Sequence, residues 1–175
     1  MSQTNNPRTV LSTEIARSLL AEFERELSTT RRFLERLPEE RLTWRPHEKS
    51  MTAGQLALHI AQTPAGVLQL SQVDEATIPN FSADRQQPAT LREVFEALDS
   101  TAAHVRQNLP KVDDLRMSQT FQVVQSGRTI MALPRVDFLR SIMLNHWYHH
   151  RGQLGVYLRL VGAKVPSSYG PSGDE

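Results

Sequence analysis

The sequence predicts an all-α protein, a four-helix bundle with a short extended or hairpin insertion before its last helix. Three observations carry this. Four stretches place apolar residues at steps of three or four, the spacing of a buried helical face. Capping boxes, prolines and a glycine mark where those stretches begin and end. One interval, 111–133, lacks the helical period altogether. All 175 residues are expected to form a single domain, an ordinary size for one hydrophobic core.

The first helix is expected from Ser12 or Thr13 to Pro38, with Ala16, Leu19, Leu20, Phe23, Leu27, Thr30, Leu34 and Leu37 on its inner stripe. A long connection containing Trp44 follows. Thr52-Ala-Gly-Gln55 reads as a capping box, in which a hydroxyl and an amide satisfy free backbone groups at a helix start. Leu56, Ile60, Val67 and Leu70 then mark a second helix to about Gln72, with Pro64 expected to kink it or end it early. After a turn-rich link, Thr90-Leu-Arg-Glu93 opens a third helix, with Leu91, Phe95, Leu98, Ala102, Val105 and Leu109 on one side, stopped by Pro110. Lys111 to Leu133 predicts two extended pieces around Ser126-Gly127 rather than a helix. Pro134 suits a first helical turn, and the fourth helix runs unbroken to Val161, where Gly162 stops it. The tail from Pro166 is expected to lie as a loop over the bundle.

Composition narrows the function. Twenty Lys and Arg against 19 Asp and Glu leave a charge of +1, which disfavours nucleic acid as a partner. Cysteine is absent, so disulfides, thiolate zinc sites and cysteine nucleophiles are excluded. The first 20 residues lack the apolar core of a signal peptide, and no run approaches the ~20 apolar residues that span a bilayer. The expected location is the cytoplasm, with no membrane partner.

At about 100° per residue, His146, His150, Gln153 and Tyr157 project within a narrow arc of the last helix, the arc of Leu139 and Met143. Imidazoles at i and i+4 can grip one ion from a single helix. On spacing alone two readings stand: a metal pair, or core histidines satisfied by hydrogen bonds. His59 borders the buried stripe of the second helix, three residues after Leu56. It supplies a third ligand from a facing helix, the way bundles assemble metal sites. Neutral imidazole suits Zn, Ni, Cu or Fe, and each ring needs a partner on its other nitrogen. Three ligands leave coordination positions open, the catalytic pattern.

Gln153 lies one turn past His150 and either orients a ligand or bonds to nearby backbone. Tyr157 reads as a core tyrosine within reach of the cavity. His149, about 60° off the seam, is a flanking hydrogen-bonding group; His104 reads as solvated, and nothing singles out His47 in its loop. Arg151, about 140° from His146, predicts an ion pair on the exterior, and Gly152 predicts close approach of another helix. Leu144, Trp147, Leu154 and Leu158 form a second apolar stripe on the last helix, about 80–160° from His146, expected as a homodimer face unless another segment of the chain covers it.

The run Asn145-His146-Trp-Tyr-His149-His150-Arg151-Gly152-Gln153-Leu154, with Tyr157-Leu158-Arg159 and Gly162 after it, resembles the DinB/YfiT-like superfamily. Thr52-Ala-Gly-Gln-Leu-Ala-Leu-His59-Ile-Ala resembles its second-helix motif, and Val165-Pro166 with Tyr169-Gly170 its tail. The resemblance runs from about Phe23 to Gly170. It implies an up-down-down-up bundle, a homodimer, and a metal, nickel or zinc, on three histidines matching His59, His146 and His150. It also implies a range of chemistry, from transferases that use low-molecular-weight thiols to hydrolases without known substrates. Three functions are therefore open: a metal-dependent thiol transferase, a metal-dependent hydrolase, and a non-catalytic metal or ligand binder in stress response. Each takes a small-molecule ligand or substrate. The hydrolase wants a general base, and no Asp or Glu lies on the inward arc of the last helix.

Overall fold

The computed structural model describes residues 11–78 and 85–175, and helices dominate it. Helix α1 (Glu14–Glu35) buries Ala16, Leu19, Phe23, Leu27, Thr30 and Leu34, the stripe expected of it. Helix α2 (Ala53–Leu70) opens on a complete capping box. Thr52 Oγ1 accepts from Gln55 N at 3.1 Å, and Gln55 Oε1 accepts from Thr52 N at 3.0 Å. Helix α3 (Leu91–Asn108) has half of one: Thr90 Oγ1 accepts from Glu93 N at 3.4 Å, but the Glu93 carboxylate takes Ala89 N. Its buried face is centred on Val94, Leu98, Ala102 and Val105, leaving Leu91 and Phe95 half-buried at the flank.

Pro64 lies inside α2 and does not end it. A proline has no N–H, so the carbonyl four residues earlier, Ile60 O, loses its helical donor. The indole Nε1 of Trp147 donates to that carbonyl at 2.9 Å. A side chain from the last helix thus completes the backbone of α2 beside His59, and fixes the two helices in register there.

The insertion departs from expectation in two ways. A one-turn helix α4 (Asp114–Ser118) forms inside it, capped by Asp113 Oδ1 on Arg116 N at 2.7 Å. The strands β2 (Thr120–Gln125) and β3 (Arg128–Pro134) form the expected hairpin. Ser126 and Gly127 both have positive φ, 50° and 74°, as a two-residue hairpin turn demands. The short strand β1 (Glu75–Thr77) adds in parallel to β2, making a three-stranded sheet in the order β1-β2-β3. The protein is therefore mostly helical with a small sheet, and not all-α. Three residues within a turn-rich link carry too little pattern to announce a strand.

The last helix is continuous but not uniformly α. It comprises α5 (Arg135–Phe138), a π-helical stretch Leu139–Asn145, and α6 (His146–Leu160). His146 N–H reaches back five residues to Ser141 O. One extra residue per turn rotates the earlier part against the later, and such stretches concentrate at functional sites.

Three readings of this helix need correction. Leu144, Trp147, Leu154 and Leu158 are at most 1% exposed within the single chain, so they are core and not a dimer face. The helix packs against both α1 and α2, which gives it two buried sides; Trp147 stacks on Phe23 with ring centroids 5.3 Å apart. Arg151 is 2% exposed instead of exterior. Its Nη1 meets Glu26 Oε2 at 2.5 Å and its guanidinium lies over the Tyr148 and Tyr169 rings. Gly152 faces open space, and Gly155 is the close approach, where a Cβ would come within 3.2 Å of Phe33. Among the described residues no helix is long and apolar enough to cross a membrane. The tail does lie over α1 and α6, held by Arg32 Nη2 on Ser167 O and Tyr169 on Glu26.

Candidate metal centre

The capping box sets the start of α2, which places His59 in its second turn, beside the inward residues Leu56 and Ile60. The α6 residues His146 and His150 stand one turn apart on the opposite wall. All three rings are half-buried and mutually near-perpendicular, with centroids 5.3 Å (His59–His146), 4.6 Å (His59–His150) and 4.4 Å (His146–His150) apart. One nitrogen from each lies within 4.8 Å of the others, so the group can hold a metal ion.

Hydrogen bonding decides which nitrogens are available. His150 Nδ1 lies 2.8 Å from Gln153 Oε1, and an amide oxygen only accepts. The proton of His150 is therefore on Nδ1, and its Nε2 lone pair faces His146 Nε2 at 2.9 Å. Two imidazole nitrogens that close require a proton or a cation between them. Were the proton on His146 Nε2, its buried Nδ1 would be left as an acceptor with no donor. The Ile142 carbonyl one turn back favours a protonated ring nitrogen, and Nδ1 is the one without a hydrogen-bond partner, which favours a proton on Nδ1. That leaves both Nε2 lone pairs for a cation. His59 Nε2 is likewise buried without a partner, a costly state for a polar atom. These residues fit a divalent ion.

Electrostatics keeps the rings in their ligand form. Burial, then the neighbouring histidines, lower the pKa of His59 to about 4 and that of His146 to about 4. Burial also lowers that of His150, opposed by the Gln153 hydrogen bond. At neutral pH the imidazoles are uncharged and free to bind metal.

The other expected residues divide. Gln153 bonds to the His150 ring and not to nearby backbone. His149 is exposed, with its ring 5.0 Å from that of His150. Tyr157 is buried and its hydroxyl donates to Met51 O at 3.1 Å, away from the three rings. His47 is exposed; His104, expected to be solvated, is half-buried beside Asn108 Nδ2, and neither joins the group. Sequence reasoning missed Arg85, which lines a cavity of about 150 Å³ with His59. It sits in a link without periodicity, where nothing marks one arginine above another.

The full length of the chain, residues 1–175, matches the DinB family. The uncharacterized protein YrdA of Bacillus subtilis (strain 168) is 25% identical over 158 residues, covering 89% of each chain. Two solved structures share the fold. A DinB-like protein from Bacillus cereus ATCC 10987 superposes with a TM-score of 0.68 at 23% identity, over 87% of this chain and 97% of its own. A DinB-like protein from Bacillus subtilis, YjoA, gives 0.64 at 18% identity, over 89% and 99%. With its whole length matched by the family and its fold shared with these relatives, the chain belongs to the DinB family.

Proposed function

We propose that His59, His146 and His150 hold one divalent ion, nickel or zinc, and that the protein is a transferase joining a low-molecular-weight thiol to a small electrophile. The observation that carries this reading is the convergence of three neutral imidazoles, one with its tautomer set by Gln153. Three protein ligands leave open positions. When bound, the ion would lower the pKa of a coordinated thiol and favour its thiolate. The protein contains no cysteine, so the sulfur must come from a cosubstrate. A hydrolase ranks second because no carboxylate lines the cavity among the described residues. A homodimer belongs to this reading, through a face other than that of Trp147.

The test is a titration of cobalt-substituted protein with 2-mercaptoethanol. A thiolate-to-cobalt charge-transfer band in the near ultraviolet is expected. Turnover of an ester or amide without thiol, and no such band, would replace the transferase with the hydrolase.

Gln153 gives a second prediction. Gln153→Leu removes the acceptor on His150 Nδ1 and frees the ring to rotate. Metal affinity is expected to fall 10–100-fold, the usual effect of losing such a partner, while the fold is kept. Chelator competition measures this, and an unchanged affinity would deny Gln153 the orienting role.

A further inference from the structure

We infer that Arg85 makes the mouth of this site selective for ligands that carry a carboxylate, an inference that rests on the metal-site reading. The cavity of about 150 Å³ is lined by Gln55, Leu58, His59, Gln62, Arg85 and Gln86. His59 is the member of the histidine group that lines it; the rest is Leu58, one cation and three neutral amides.

Arg85 is held there by its backbone. Its carbonyl accepts from Gln55 Nε2 at 3.0 Å, within the capping box of α2. Two residues on, Gln87 accepts from Thr52 Oγ1 at 2.6 Å and donates to Leu42 O at 3.2 Å. The segment is thereby pinned to the start of α2, a turn before His59. The guanidinium itself makes a 2.8 Å contact from Nη1 to Met51 Sδ, a weak acceptor that does not neutralise charge. Among the described residues no carboxylate forms an ion pair with Arg85, although most arginines of the chain have one.

The three ligands are neutral, so a divalent ion would bring two positive charges to this cavity and Arg85 a third. The described lining residues offset none of it. A pocket with that imbalance favours anions. A guanidinium fork flanked by amides matches a planar, singly charged carboxylate.

The experiment compares 3-mercaptopropionate with its neutral amide, 3-mercaptopropionamide, on cobalt-loaded protein. Metal content is measured first, in wild type, Arg85→Gln and Arg85→Lys. The wild type should bind the carboxylate at least tenfold more tightly than the amide. Arg85→Gln should lose most of that preference, Arg85→Lys should keep part of it, and the neutral amide should bind all three equally. A preference that survives Arg85→Gln intact overturns the inference, as does inorganic phosphate outcompeting acetate. If neither thiol ligates the cobalt, the transferase reading fails. Acetate against acetamide, read from the cobalt d–d bands, then tests Arg85 by the same criteria.

Discussion

Alanine at His59, His146 or His150 is expected to lower bound metal at least tenfold in each variant, and the His146→Ala/His150→Ala double variant should bind none. His104→Ala should retain the wild-type content, because His104 lies outside the group. The same substitutions should barely affect the metal-free fold. His59 Nε2 and His146 Nδ1 are buried without partners, so removing those rings relieves two unsatisfied polar atoms while it opens space. Ordinary core residues behave in the opposite way, losing stability on truncation. Metal analysis paired with thermal melts of the metal-free proteins separates the two. A double variant that keeps its ion, or single variants that lose metal only because they unfold, would remove the histidines from the ligand role.

Trp147→Ala is expected to cost about 3–5 kcal/mol, the range for truncating a buried tryptophan. Two contacts are lost together, the stack on Phe23 and the donor to Ile60 O. The milder Trp147→Phe keeps most of the volume but leaves Ile60 O unsatisfied, which costs about 1–3 kcal/mol. Pro64 is the reason that carbonyl needs an outside donor. Pro64→Ala supplies the missing N–H, so Trp147→Phe should cost less in a Pro64→Ala background than alone. Urea unfolding of the four proteins closes the cycle. Strictly additive costs would show that the indole and the proline are not coupled through Ile60. Trp147→Glu, which places an unpaired charge in the core, should yield no folded protein, monomer or dimer.

Much of this was legible because it is local. The stripe of α1, the Thr52–Gln55 capping box and the Ser126-Gly127 turn each follow from residues within a few positions of one another. The histidine group needed only one longer step, from the i, i+4 pair on α6 to a facing helix. What stayed hidden depends on distant partners. Arg151 reads as a surface arginine until Glu26, 125 residues earlier in sequence, is brought beside it. Arg135 is 1% exposed and donates to Ser71 O, Val73 O and Arg116 O, three carbonyls from two other segments. The second stripe of α6 was visible, but its cover was not, since apolar spacing does not say whether α1 or another copy fills it. The π-helical stretch leaves no trace in spacing: Leu139 and Met143 are buried, as an unbroken α-helix also predicts. β1 is too short to carry a pattern.

Elemental analysis of freshly purified protein, run beside the His59→Ala/His146→Ala/His150→Ala triple variant, tests the metal site most directly. The structure predicts close to one divalent ion per chain in the wild type and none in the triple variant. A wild type that is free of metal and takes up neither nickel nor zinc on addition would contradict it, as would a triple variant that keeps its ion.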